Sequence, residues 1–346
     1  MKHQTTRYGE IPFYKIGTFG NTADAFISKK LFLEYKTKYS FPKKGDILIS
    51  ASGTIGRAVI YDGKPAYFQD SNIVWIDNDE TLVKNDFLFY AYSNVKWNTE
   101  HTTILRLYND NFRNTLIPLP PLNEQSAIAN ILSALDRYLY ALDALILKKE
   151  GVKKSLSFEL LSQRKRLKGF NQAWQRVRLG DIANYLTSNL SVEQITQQGK
   201  IKVYDVNNFI GYTDTTFISD KPYISIVKDG SVGRVRILPP KTNILSTMGA
   251  LIANHRTTTE FLFYLLSNFD FKNFTSGSII PHIYFKDYKE KTIFLPPLNE
   301  QSAIANILSA LDNEIASLKN KKRQFENIKK ALNHDLMSAK IRVLEK

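Results

Sequence analysis

The chain contains no cysteine and only 5 histidines, so structural disulfides and thiolate zinc sites are both excluded. It has no run approaching the roughly 18 consecutive apolar residues that a membrane span needs. The first residues also lack the apolar core of a signal peptide. These absences predict a cytoplasmic protein that does not associate with membranes.

Motifs for catalysis are missing as well. There is no G-x-x-x-x-G-K-[ST] loop for a nucleotide and no G-x-S-x-G turn for a nucleophilic serine. Adenine methyltransferases need an Asn-Pro-Pro-aromatic motif, but here Pro-Pro occurs only within LPPL or before Lys241. The histidines, at positions 3, 101, 255, 282 and 334, do not have the spacing of metal ligands. We therefore predict a protein that is not an enzyme and needs no cofactor.

Positive charge is plentiful and unevenly distributed. The formal net charge is +14. Residues 137–170 hold 9 Lys and Arg against 3 Asp and Glu, and residues 313–346 hold 9 against 4. A polyanion would bind such segments by releasing counterions, although each segment is also consistent with the solvated face of a helix.

The chain repeats itself. Residues 119–136 and 295–312 both read LPPLNEQSAIANILSALD, which is 18 identical residues at an offset of 176 (295 − 119). Weaker repeats precede this block: FLFY at 87–90 and 261–264, GTIGR at 53–57 and GSVGR at 230–234, and FYKI at 13–16 and VYDV at 203–206. One part of each half therefore performs the same task twice, while the rest has diverged.

A helix is expected to begin near Asn123 and near Asn299, because asparagine caps a first turn well. Apolar residues then recur at steps of three and four over about 40 residues, which is typical of a coiled coil about 60 Å long. We predict that the two helices pair antiparallel, with two amphipathic helices in separate cores as the alternative. The globular segments contain candidate hairpins at 46–61 and 224–238 and a strand at 73–76. A short helix around each FLFY and a final strand before each Pro-Pro complete a mixed α+β pattern.

These residues resemble the specificity subunits of type I restriction–modification systems. The resemblance covers nearly the whole chain and includes the doubled LPPLNEQ-x-x-I, LLSQRKRLKGF at 160–170, WQRVRLGDIA at 174–183 and SGSIIPHIYFK at 276–286. It implies an α+β fold with two mixed α/β target-recognition domains, separated by two long antiparallel coiled-coil helices in a pseudo-twofold internal repeat. The implied domains are a first recognition domain at 1–118, a first helix and linker at 119–171, a second recognition domain at 172–294 and a second helix at 295–346.

The first half departs from this pattern. It has no counterpart of the opening at 174–183, which would fall before Met1. We expect either that the true start lies before Met1 or that the first recognition domain is a shortened or rearranged copy.

The resemblance implies that each recognition domain binds one half of a bipartite sequence in double-stranded DNA. The helices would set the spacing and dock two modification (adenine methyltransferase) subunits, with restriction and translocase subunits joining the larger complex. A coiled-coil interaction scaffold without DNA binding is the alternative, favoured by the net charge of only +3 outside the two basic segments.

Alignment of the halves places Arg106 opposite His282 and Tyr108 opposite Tyr284. A polar residue that changes between halves, inside a shared strand, is what distinct base recognition requires. As alternatives, His282 would be a packed strand histidine, the tyrosines would be core residues and the arginines surface charges. The expected DNA-binding residues are Arg57, Arg106, Tyr108, Arg113, Arg234, His282, Tyr284 and Lys286. The expected partner-binding residues are Leu122, Glu124, Gln125, Leu298, Glu300 and Gln301.

Overall fold

A computed structural model describes residues 4–68, 72–97, 105–277 and 279–344. His3 and His101 of the sequence analysis, and Ser278 within the family-like segment 276–286, lie outside the described residues. The fold is α+β. It divides into two compact units, Met1–Asp143 with Asn320–Lys346, and Ala144–Lys319. The four-part division expected from the sequence stays a prediction.

The described residues of the first unit form six strands and three short helices, and the strands make two three-stranded sheets. The elements are β1 (Ile11–Tyr14), β2 (Ala25–Ile27), α1 (Lys29–Lys38), β3 (Ile47–Ser50), β4 (Ala58–Ile60), β5 (Tyr67–Phe68), β6 (Ile73–Trp75), α2 (Asn85–Tyr92) and α3 (Asn109–Arg113). The sheets have the strand orders β2-β1-β5 and β4-β3-β6. The long helix α4 (Leu122–Leu161) follows.

The second unit repeats this order with additions. Its elements are β7 (Gln175–Arg178), β8 (Ala183–Thr187), β9 (Ile201–Tyr204), β10 (Phe209–Thr213), β11 (Tyr223–Val227), β12 (Val235–Leu238), β13 (Thr242–Ile244), β14 (Met248–Ala253), α5 (Thr259–Ser267), β15 (Thr275–Ser276), β16 (His282–Ile283), α6 (Phe285–Tyr288) and β17 (Thr292–Leu295). The sheets are β10-β9-β13, β12-β11-β14-β8, β15-β16 and β17-β7. The last helix, α7, is Leu298–Met337.

Most of the local predictions are confirmed. β3 pairs antiparallel with β4, and β11 with β12, each pair closing around a Gly-containing turn. The FLFY segments lie in α2 and α5. Both are amphipathic, and Phe87 and Phe261, the first residue of each FLFY, are fully buried. The helices α4 and α7 begin one residue before the predicted asparagines, and α4 continues through Gly151.

The final strand predicted before each Pro-Pro exists only in the second unit, so the prediction is wrong for the first. There β17 pairs with β7, which belongs to the opening at 174–183. Among the described residues of the first unit no strand corresponds to β7. The segment preceding Pro120 therefore has no pairing partner and stays irregular, with Leu116 95% exposed.

Within each unit the two long helices pair antiparallel. In the first unit, Lys329 of α7 contacts Asp136 of α4, and Lys322 contacts Asp143 at 2.7 Å. In the second, Lys153 contacts Asp312 and Lys319 contacts Glu150 at 2.6 Å. In both units, higher residue numbers on one helix meet lower numbers on the other.

Apolar residues of these helices also complete the core of each unit. Ile128 and Leu132 pack with Phe87 in the first unit. Ile304 and Leu308 pack with Phe261 in the second. The internal repeat therefore extends from the strand order to the helix packing.

Candidate nucleic-acid interface

The same backbone bridge occurs in both units beside the Gly-containing turn. In the first unit Ser52 and Arg106 form an antiparallel bridge, and in the second Asp229 and His282 do so. The adjoining hydrogen bonds also match. Leu107 N donates to Ala51 O at 2.8 Å, and Ile283 N donates to Lys228 O at 2.9 Å. Position 282 lies in β16, whereas position 106 belongs to an isolated bridge.

An aromatic ring holds each turn tightly. Gly56 has φ +80° and Gly233 has φ +81°, a backbone conformation that favours glycine. A Cβ atom at Gly56 would lie 2.2 Å from Nε1 of Trp97, and one at Gly233 would lie 2.6 Å from Cδ2 of Phe271. Sequence reasoning missed Trp97 and Phe271, although both precede their bridge residues and recur at nearly the repeat offset.

The turns carry two of the predicted DNA-binding arginines. Arg57 and Arg234 directly follow Gly56 and Gly233, and both are exposed. Nη1 of Arg57 donates to the carbonyl oxygen of Phe19 at 3.0 Å, which fixes part of this side chain.

In the second unit the predicted residues form a row. His282 Nδ1 lies 2.6 Å from Oδ1 of Asp229. The ring of Tyr284 stacks at 6.4 Å from the His282 ring, with an interplanar angle of 19°. Lys286 Nζ then lies 5.5 Å from the centre of the Tyr284 ring. Tyr284 is 49% exposed and so is not a core residue.

The first unit presents a related row with other side chains. The guanidinium of Arg106 lies 5.8 Å from the centre of the Tyr108 ring. Tyr108 is 43% exposed and also lies outside the core. Arg113, one turn further along α3, forms an exposed ion pair with Asp110 at 3.3 Å.

The predicted partner-binding glutamines are buried and bonded within the chain. Nε2 of Gln301 donates to the carbonyl oxygens of Pro296 at 2.8 Å and Arg256 at 2.9 Å. Its Oε1 accepts from Thr257 Oγ1 at 2.9 Å and Thr258 N at 3.0 Å.

Gln125 repeats the arrangement. It donates to Pro120 O at 2.8 Å and Leu82 O at 3.1 Å, and it accepts from Lys84 N at 2.8 Å. Each glutamine thereby joins the start of a long helix to the loop before α2 or α5.

The predicted partner-binding glutamates are buried too. Glu300 accepts from Arg166 at 2.6 and 3.2 Å and from the indole Nε1 of Trp174 at 2.9 Å. Glu124 accepts from Arg342 at 2.6 and 3.2 Å. The hydrogen bond from Arg342 holds the pKa of Glu124 below its usual range. These four glutamine and glutamate side chains therefore have internal roles.

Leu122 and Leu298, the remaining predicted partner-binding residues, are 39% and 48% exposed. They begin a row of exposed residues at steps of four, which lie on one face of a helix. The row is identical in both helices and consists of Leu122, Ser126, Asn130 and Ala134 in α4 and of Leu298, Ser302, Asn306 and Ala310 in α7.

Other kinds of site are not found in the described part of the chain. No group of three or more His, Asp or Glu is placed to hold a metal ion there. The helices of the described residues include none with the length and apolarity to span a bilayer.

The geometry defines a duplicated α+β protein in which two units share one scaffold and carry different polar side chains at matching positions. Such a design suits two related binding tasks with different specificities. The chain belongs to the type I restriction modification DNA specificity domain family, whose model matches residues 1–149 and 171–327.

Individual relatives agree with this assignment. A type I restriction enzyme specificity subunit of Haemophilus influenzae is 65% identical over 133 residues, which are 38% of this chain and 34% of the relative. The aligned part thus spans only about a third of that relative. The MjaX specificity subunit of Methanocaldococcus jannaschii is 28% identical over 337 residues, covering 86% of this chain and 79% of the relative.

A solved structure shares the fold. The type I restriction–modification S subunit of M. genitalium superimposes with a TM-score of 0.64 and 21% identity, covering 97% of this chain and 91% of that one. The fold predicted from the resemblance is confirmed.

Proposed function

We propose that this chain is the DNA-binding specificity subunit of a type I restriction–modification complex, with each unit recognising one half of a bipartite DNA sequence. The observation that carries the proposal is the shared bridge with unlike side chains, Ser52 and Arg106 in one unit, Asp229 and His282 in the other. A constant backbone with a variable polar edge can present different hydrogen-bonding groups to different bases.

The cations and rings around each bridge support contact with a duplex. Arg57 and Arg234 on the turns, together with Arg113 and Lys286 on α3 and α6, would contact phosphates, which position a protein without specifying sequence. Arg106 and His282 would contact base edges. The exposed Tyr108 and Tyr284 would pack against the sugar–phosphate backbone or the bases. The long helices would set the spacing between the two half-sites.

The exposed row on each helix supports docking of two copies of one partner. For most other residues of the identical block, burial or an internal hydrogen bond accounts for their being the same in both copies. The apolar side chains of Leu122 and Leu298 are exposed, yet both copies carry the same exposed row. Two equal surfaces fit two equal partners. We propose that these are modification (adenine methyltransferase) subunits, that restriction and translocase subunits join the larger complex, and that catalysis belongs to these partners.

Selection from a pool of random duplexes, with and without a co-expressed adenine methyltransferase, tests DNA recognition. Enrichment of a split sequence is the expected result. The scaffold alternative, supported by the concentration of charge in residues 137–170 and 313–346, requires that no duplex binds under any partner condition.

Docking is tested separately by Leu122→Asp combined with Leu298→Asp. This double variant should lose co-purification with the methyltransferase while its melting temperature stays within about 1–2 °C, because both side chains are exposed. The matched control is Ser155→Asp with Ser317→Asp, which adds the same charges to exposed helix positions outside the repeated block. Unaltered co-purification of the first variant would contradict the docking proposal.

A further inference from the structure

The bridge histidine of the second unit is held in a defined orientation. Gly230 N donates to Pro281 O at 2.9 Å on one side of the bridge, and Ile283 N donates to Lys228 O at 2.9 Å on the other. Between them Asp229 Oδ1 lies 2.6 Å from His282 Nδ1, with the two side chains 30% and 36% exposed. Part of the imidazole thus faces solvent on a rigid support.

The carboxylate determines which ring nitrogen carries the proton. An ionised carboxylate can only accept hydrogen bonds, so Nδ1 of His282 must be the donor toward Asp229. In a neutral imidazole the other nitrogen, Nε2, is then an acceptor. No protein group among the described residues hydrogen-bonds Nε2 of His282, which leaves this acceptor available to a ligand.

Building on the proposed function, we infer that Asp229 is a specificity-determining positioning residue, which makes His282 select a base that carries an exocyclic amine. In the major groove adenine N6 and cytosine N4 are donors, whereas guanine O6 and thymine O4 are acceptors at the corresponding places. An acceptor on the protein binds the first pair and repels the second.

The first unit has the opposite hydrogen-bonding polarity at the same place. Arg106 offers donors only, which suits the O6 and N7 acceptors of guanine. A guanidinium has no alternative tautomer to control, and the residue at the position of Asp229 is Ser52. Its hydroxyl donates to Oδ1 of Asn72 at 2.9 Å. The acid is therefore present in the unit that carries the histidine, whose tautomer has to be fixed.

The test is base selection from random duplexes by the full chain with a co-expressed adenine methyltransferase. His282→Ala should reduce the preference for adenine or cytosine at one position of one half-site by about 2-fold to 10-fold, as expected for one neutral hydrogen bond. Asp229→Ala should weaken the same preference, because both tautomers then become accessible.

The matched control is Asp220→Ala, which removes an exposed acid of the same unit that makes no hydrogen bond with the described residues. It should leave the selected sequence unchanged. The other half-site, recognised by the first unit, reports in every variant that the protein is folded and binds.

A variant that gains a new base preference tests the inference independently of misfolding, because a misfolded protein would not acquire one. Asp229→Ser combined with His282→Arg transfers the pair of the first unit and should change the selected base at that position to guanine.

If wild type selects no split sequence, the proposed function fails. If it does, but His282→Ala leaves the sequence unchanged, or the position holds guanine or thymine, only this inference is overturned. An unchanged preference in Asp229→Ala overturns the positioning role.

Discussion

Replacing Gln301 with alanine removes four hydrogen bonds at the start of α7 and leaves their partners without the amide. The side chain is 0% exposed, so water does not readily substitute. At about 1 kcal/mol for each net hydrogen bond, the loss is about 4 kcal/mol. A unit of this size shifts its melting temperature by about 2–4 °C for each kcal/mol, which gives a decrease of about 8–16 °C.

The repeat supplies an internal comparison. Gln125 makes three such bonds, so Gln125→Ala should cost about 3 kcal/mol on the same scale. Ser302→Ala is the matched control, because this exposed hydroxyl bonds to the carbonyl of Leu298 in its own helix, at 3.0 Å. Its effect should stay within about 0.5 kcal/mol.

Calorimetry gives the melting temperatures, and hydrogen–deuterium exchange locates the destabilised segment. For Gln301→Ala, amide exchange should accelerate in the loop containing Arg256 and Thr258, which the glutamine joins to the helix. A melting temperature equal to that of the Ser302→Ala control would refute the assignment of a structural role. If Gln301→Ala instead lost docking of the partner with unchanged stability, Gln301 would be assigned to the docking surface, as the sequence predicted.

Three further changes test other parts of the account. Insertion of seven residues after both Leu142 and Leu318 should lengthen the gap between half-sites by about three base pairs, since seven helical residues span about 10 Å; an unchanged methylation motif would contradict the spacing proposal. Arg342→Met should abolish the part of the pH dependence of stability that is due to Glu124. The lowered pKa of Glu124 makes its pair with Arg342 stabilising above about pH 4.3, and this stabilisation declines as the pH falls through the lowered value. Urea midpoints between about pH 3 and 5 measure this, and equal slopes with pH in both proteins would oppose it. Arg106→Ala should relax one half-site alone, by about 1–3 kcal/mol if the contact is bidentate, and equal losses at both half-sites in the duplex selection would show that the assignment is incorrect.

Local sequence patterns predicted the elements that form through contacts between residues close together in the sequence. The apolar residues on either side of Gly53 and Gly56 predicted the hairpin of β3 and β4, because strand alternation and turn glycines lie close together in sequence. The steps of three and four predicted α4 through Gly151, where one glycine costs only about 1 kcal/mol against a long packed face.

Contacts distant in sequence could not be predicted in this way. Glu300, in the first turn of its helix, resembled an exposed acid at the positive end of the dipole. Its actual partner Arg166 is 134 residues away, and Arg342 is 218 residues from Glu124. Burial of the glutamates follows from these arginines, which lie outside the identical block. For the same reason Asp229 gave no signal, since His282 lies 53 residues further along the chain.

The arginines and lysines that bond to the repeated block show how far the duplication extends. Arg342 and Arg166 differ by 176 in number, as do Lys329 and Lys153. The two lysines occupy the opposite long helix from the acid that each contacts, and the two arginines lie just beyond the end of that helix. Each copy of the block therefore needs the other copy's helix, and the segment just after it, to neutralise its acids. A recombination that exchanged the residues before one long helix, but retained both helices and the segments with Arg166 and Arg342 that follow them, would preserve all four ion pairs. It would replace the bridge side chains together with the region that carries them, so a new DNA specificity could arise without rebuilding the paired helices.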